Sequence, residues 1–94
     1  MTGIISLPQT FSEAAATAST LFPNECCLVL DTTGQPVNIH IAAMNILQMA
    51  GFGVPMRLNT PEPHTLVIIG TQHTLADAYR RLQNANAACK LIIP

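Results

Sequence analysis

The chain repeats one pattern twice: a short apolar run, a stretch of helical periodicity and a second apolar run. The first unit spans residues 26–61 and the second spans residues 62–94. Cys26–Leu30 and Thr65–Ile69 are continuous apolar runs, which are typical of strands buried on both faces. Two consecutive strand–helix–strand units restrict the chain to an α+β domain built around a small sheet.

Each unit is predicted to close with another strand, Val54–Leu58 in the first unit and Cys89–Ile93 in the second. The resulting βαββαβ order is that of the ferredoxin-like plan. Right-handed crossovers then place both helices on one face of a four-stranded antiparallel sheet. The other sheet face is left bare, and we expect either another subunit or the N-terminal segment to cover it.

The first 25 residues precede this repeat and carry their own signals. Gly3–Leu7 is predicted to be a short strand, and Thr10 with Glu13 has the spacing of a helix capping box. The alanine-rich stretch that follows favours a helix, which Pro23 ends. We therefore divide the chain into an N-terminal strand and helix extension, residues 1–25, and an α/β domain, residues 26–94.

Composition excludes several classes of function. The chain is 49% hydrophobic and 10% charged, with four Lys and Arg against five Asp and Glu. A nucleic-acid-binding protein needs clustered basic residues, so we expect no nucleic-acid partner. No apolar run is long enough to cross a membrane, and no basic and apolar leader opens the sequence. We expect a cytoplasmic protein that hides its apolar surface by forming a homo-oligomer.

The sequence contains no arrangement of residues that predicts catalysis. No two acids form an evident acid–base pair, and no Cys-x-x-Cys or His-x-x-x-His spacing occurs, so we predict no enzyme activity, metal or cofactor. The loop after the Thr65–Ile69 run could receive an anion through Thr71, Gln72 and Thr74, although it has a single glycine and no lysine. Thr74 with Asp77 is predicted to form a second capping box.

Three cysteines are too few for a disulfide framework. Cys26 and Cys27 are adjacent in a predicted strand, so their side chains should point to opposite sheet faces. Cys89 lies in an apolar strand and is interpreted as a small hydrophobic residue.

Several segments together resemble bacterial microcompartment (BMC) shell proteins. They are the Cys-Leu-Val-Leu-Asp-Thr-Thr-Gly run at 27–34, the alanine-rich helix at 42–51, the Thr-Leu-Val-Ile-Ile-Gly run at 65–70 and the closing Leu-Ile-Ile-Pro at 91–94. The segment from Ile4 to Phe22 is similar to the extra N-terminal segment of the permuted ethanolamine- and propanediol-utilisation subgroup.

The resemblance implies a structural subunit rather than an enzyme. Such domains form cyclic hexamers that tile with other shell proteins around a cytoplasmic microcompartment, and small metabolites pass through a central pore. By this analogy the loop carrying Asn59, Thr60, Glu62 and His64 approaches the pore axis. Gln48 stands where the family has its sheet-edge lysine, and the family's basic residue after the closing proline is absent here.

Two other functions remain open from the residues alone. One is a small ferredoxin-like oligomeric module that binds or regulates, holding a metabolite or anion near Thr71 to Thr74. Residues 70–77 and 88–94 also resemble small sulfur- or selenium-carrier-like proteins, and that resemblance implies a chemical role for Cys89. The other is a small enzyme whose site forms between subunits from Glu62, His64 and His73.

Overall fold

The computed structural model describes residues 3–7, 10–32, 34–52 and 65–94. Within these ranges the chain forms an α+β domain with one four-stranded antiparallel sheet and three helices. The elements in chain order are β1 (Gly3–Leu7), α1 (Phe11–Leu21), β2 (Cys26–Asp31), α2 (Val37–Met49), β3 (Thr65–Gly70), α3 (Gln72–Asn84) and β4 (Cys89–Ile92).

The sheet has the order β1-β3-β2-β4, and every neighbouring pair is antiparallel. The two central strands are fully apolar and buried, apart from the half-buried Asp31 and the buried Thr65 that lie opposite each other. This agrees with their continuous hydrophobic runs in the sequence. The sheet is compatible with a ferredoxin-like fold, whereas the predicted strand Val54–Leu58 lies outside the described residues.

The N-terminal segment contributes both a strand and a helix to the described fold. β1 pairs with β3 along its whole length, from Gly3 opposite Ile69 to Leu7 opposite Thr65. The Thr65 hydroxyl donates to the Leu7 carbonyl at 3.3 Å, so the buried threonine is satisfied by this pairing. Residues 1–25, predicted as an extension, therefore supply an edge of the sheet.

Helices lie on both faces of the sheet. α2 and α3 cover the face formed by Leu28, Leu30 and Ile68. α1 covers the opposite face, where Ala14, Ala15 and Ala18 pack with four strand residues, Cys27, Val29, Val67 and Ile69. The sequence predicts that either another subunit or the N-terminal segment covers this second face, and in the structure the N-terminal segment covers it.

Crossover handedness explains why α1 and α3 separate. β1 and β2 are parallel with β3 between them, and β3 and β4 are parallel with β2 between them. The two connections run in the same lateral direction, but their strands point in opposite directions. Right-handed crossovers must then place α1 and α3 on opposite faces.

α2 and α3 end in the same way. Gly51, at φ 93°, follows α2, and Asn86, at φ 63°, occupies the equivalent place after α3. The backbone N–H of Phe52 donates to the Leu47 carbonyl, and that of Ala87 donates to the Leu82 carbonyl, both at 3.0 Å. These are Schellman ends, which need a left-handed residue. In the sequence, Gly51 and Gly53 predict a C-cap for α2, which is confirmed at Gly51, while Gly53 lies outside the described residues. The run Asn-Ala-Asn at 84–86 predicts a frayed end for α3, which is wrong because Asn86 caps it.

Candidate functional site

The residues predicted to line a pore lie outside the described part of the chain. These are Asn59, Thr60, Glu62 and His64. His73, the third residue of the alternative enzyme site, is exposed in the first turn of α3.

The sheet-edge candidate Gln48 is exposed on α2. Val37 and Ile41 lie on the same side of the helix by their spacing and are 64% and 46% exposed. We name these three residues the α2 stripe. Met49, one residue beyond Gln48, is 80% exposed. The apolar residues Ile41, Met44 and Met49 predict that this helix is buried on more than one side. Met44 is buried, but the prediction is wrong for Ile41 and Met49 in the single chain, because α2 packs through His40, Ala43, Met44 and Leu47.

The anion-binding candidates Thr71, Gln72 and Thr74 lie where β3 passes into α3. The N-cap is Thr71, whose hydroxyl accepts the N–H of Thr74 at 3.3 Å and donates to the Thr74 hydroxyl at 2.9 Å. The capping box predicted for Thr74 and Asp77 is therefore wrong. The helix begins at Gln72, so Thr74 is inside the first turn and its N–H already has a side-chain acceptor.

Asp77 has different partners from the one predicted. Its carboxylate accepts from Arg80 at 2.6 Å and forms an ion pair with Arg81 at 3.1 Å. All three side chains are substantially exposed, so the two pairs contribute little to stability. The two ion pairs nevertheless involve two of the chain's four Lys and Arg residues, both on the surface of α3.

A shallow cleft of about 300 Å³ adjoins the start of α3. It is lined by Asn24, Glu25, Cys26, Gly70, Thr71, Gln72 and Pro94. The carboxylate of Glu25 opposes an anion there, and the Thr71 hydroxyl is engaged in capping. The cleft brings together two of the three predicted anion ligands, Thr71 and Gln72, but its charge favours a neutral or donor-bearing molecule.

A larger groove of about 490 Å³ separates α1 from the edge strand β4. Small side chains of α1 leave it open: Ser12, Ala16 and Ser19 on one wall face Lys90 and its strand neighbours on the other. Among the described strands, β4 pairs with β2 alone. Its four-residue length and its exposed lysine are features that discourage pairing with another chain.

The cysteine thiols lie in apolar surroundings. Cys26 packs with α2 and α3 whereas Cys27 packs with α1, which confirms that adjacent cysteines face opposite sides of the sheet. Burial raises the pKa of both thiols, and it raises the pKa of Cys89 to about 11. At neutral pH the Cys89 thiol is therefore protonated and a poor nucleophile.

Sequence reasoning missed two polar side chains at the start of α2. The ring atom Nε2 of His40 is buried and has no hydrogen-bond partner among the described residues, and the same holds for both amide atoms of Gln35. Leaving a buried polar group unpaired costs about 1–3 kcal/mol. No local sequence signal marks these two side chains, because their burial depends on how the start of α2 lies against the rest of the fold.

Comparisons with known proteins identify no relative. No family model matches the chain, and no curated protein or solved structure matches it. Within the described ranges, no three His, Cys, Asp or Glu side chains form a group able to hold a metal ion. In the same ranges, no helix has the length and apolar character needed to cross a membrane.

Proposed function

We propose that the chain is a structural subunit of a bacterial microcompartment shell that assembles into a cyclic hexamer. The observation that carries the proposal is the exposure of large apolar side chains on α2, where Val37, Ile41 and Met49 all face solvent in the single chain. Only 10% of the residues are charged, so little of the surface resists association. Exposed apolar surface of this kind marks a site of protein–protein contact.

Within the proposed hexamer, the α2 stripe contributes to the contact between subunits. Val37 and Ile41 supply apolar area, and Gln48 supplies a polar side chain in place of the shell family's lysine. The loop with Asn59 to His64 is proposed to line a pore for small metabolites. The sheet is proposed to be a variant of the ferredoxin-like plan, with β1 beside β3 at the edge that the plan gives to its second strand.

Light scattering on a sizing column tests the assembly directly. We expect a mass of six chains of 10.0 kDa each. In Ile41→Asp, a charge within the α2 stripe should reduce the mass to that of smaller species. Leu21→Asp is the matched control, because Leu21 is 57% exposed on α1, on the opposite side of the sheet.

Each result has a defined meaning. A hexamer that survives in Leu21→Asp and is lost in Ile41→Asp supports the proposal. A monomer or dimer in the unsubstituted chain contradicts it, and a hexamer that Ile41→Asp leaves intact contradicts the role given to the α2 stripe. Circular dichroism of both variants confirms that the fold is retained.

A second candidate is a small oligomeric binding module. The cleft that Thr71 and Gln72 share with Glu25 favours it, since the start of β2, the end of β3 and Pro94 form a concave surface there. A small oligomer whose unfolding temperature rises with a bound metabolite would support this function instead of the shell.

A further inference from the structure

The N-terminus of α2 has no side-chain cap. Its N-cap residue is Pro36, which makes no capping hydrogen bond, and the first turn contains no acidic residue. The backbone N–H groups of Val37, Asn38 and Ile39 have no acceptor within the helix, since an α-helix leaves its first N–H groups unpaired. Together with the helix dipole, these groups favour a negative charge at this end.

Two buried polar side chains distinguish this helix end from others. Gln35 precedes the N-cap and His40 is the fourth residue of the helix, and these are the two positions that face each other across a helix start. His40 is only 7% exposed, and its side chain leans toward the helix start because side chains slant in that direction. The Nε2 atom of His40 and both amide atoms of Gln35 are buried, and within the part of the chain that the structure describes they have no hydrogen-bond partner.

The nearest acid in the sequence does not face this end of α2. Asp31 follows Val29 by two positions in β2, so its side chain is on the same sheet face. Val29 packs against α1, whereas Leu28 and Leu30 face α2. The carboxylate of Asp31 therefore points to the α1 side, away from His40.

From this arrangement we infer that the start of α2 is a binding site for a small oxyanion that also carries a hydroxyl, of which hydrogen phosphate is the simplest. The N–H groups of residues 37–39, the Gln35 amide N–H and the His40 Nε2–H donate to the anionic oxygens. The Gln35 amide oxygen needs a donor, which the ligand hydroxyl provides. Gly34 and Pro36 are exposed, so the ligand enters from solvent when the Gln35 side chain turns.

The site does not depend on assembly, so it can be tested whatever the oligomeric state. Inorganic phosphate is titrated into the 15N-labelled full chain while backbone and imidazole NMR signals are followed. We expect saturable shifts at the amides of residues 37–39 and at the His40 ring. Acetate, which has the negative charge but no hydroxyl, should bind more weakly. Glycerol 3-phosphate tests the source of the phosphate group: tighter binding than inorganic phosphate indicates a phosphate ester, and equal binding indicates free phosphate.

Three variants separate a ligand site from a structural defect. Gln35→Leu and His40→Leu should each weaken phosphate binding about tenfold, as expected for losing one charge-assisted hydrogen bond. Pro36→Ser leaves both side chains in place but offers a capping oxygen that competes for the same N–H groups, so it should weaken binding as well.

The start of α3 is an internal control, because Thr71 already caps it. Its amides, Gln72 and His73, should not shift with phosphate. The inference is overturned by the absence of saturable shifts at α2, by equal shifts at both helices, or by binding that Pro36→Ser and His40→Leu leave unchanged. Should His40→Leu fail to fold, Pro36→Ser decides the outcome.

Discussion

The packing of α1 on the sheet predicts that Ala18 has no room for a larger side chain. Ala18 is 0% exposed and lies in the cluster with Val29 and Val67, so the three extra carbons of Ala18→Leu must displace side chains or the helix. Overpacking of this kind costs about 1–3 kcal/mol. In a domain of this length each kcal/mol lowers the unfolding temperature by about 4–8 °C.

Ala16→Leu is the matched control for this experiment. Ala16 is exposed on the same helix, two residues away, so the two substitutions have the same small effect on helix propensity. Urea and thermal unfolding of both variants give the comparison. We expect Ala18→Leu to be destabilised by at least about 1 kcal/mol relative to Ala16→Leu, which should stay within about 0.5 kcal/mol of the unsubstituted chain. Equal stability of the two variants would refute the packing of α1 on this face.

Three further predictions concern the end of β3, the start of α3 and β4. Thr71→Ala removes the acceptor of the Thr74 N–H and should cost about 1 kcal/mol in urea unfolding, whereas Thr71→Ser should not. Gly70→Ala places a Cβ 3.2 Å from the Phe52 ring and should cost about 1 kcal/mol, with a smaller loss in a Phe52→Leu background. Because burial raises the pKa of Cys89 to about 11, stability should fall between pH 9.0 and about 11, where the unfolded thiol ionises and the folded one does not. Cys89→Ala should flatten that decline, and an equally steep decline in the variant would contradict the assignment.

Most elements of the fold are accessible from local sequence. The helical spacing of Phe11, Ala14, Ala15, Ala18 and Phe22 predicts that they share one face, and all five pack in one cluster with the sheet. The Thr10 hydroxyl accepts the Glu13 N–H, as the capping spacing indicates. The continuous apolar runs became the two central strands. These features depend on neighbours close in the chain, which a sequence displays directly.

Other features depend on contacts between distant segments. The pairing of β1 with β3 leaves no local trace in the sequence. Thr71 and Thr74 can both serve as N-caps, and which one does so depends on where α3 begins. His40 is buried because of how α2 lies on the sheet. Its position in the sequence therefore gives no sign that its Nε2 atom is buried without a hydrogen-bond partner among the described residues. Tertiary packing decides such positions.

The position of β1 has a consequence for how the chain folds during synthesis. The residues that β1 pairs with, such as Ile69 opposite Gly3, leave the ribosome long after β1 itself. Until then the strand has no partner, and the face of β2 under α1 is only partly formed. Closing a loop this long is slow compared with forming the helices. Docking of the first strand is therefore expected to be a late step, and the nascent chain carries an unpaired apolar strand that a chaperone could bind before the sheet is complete.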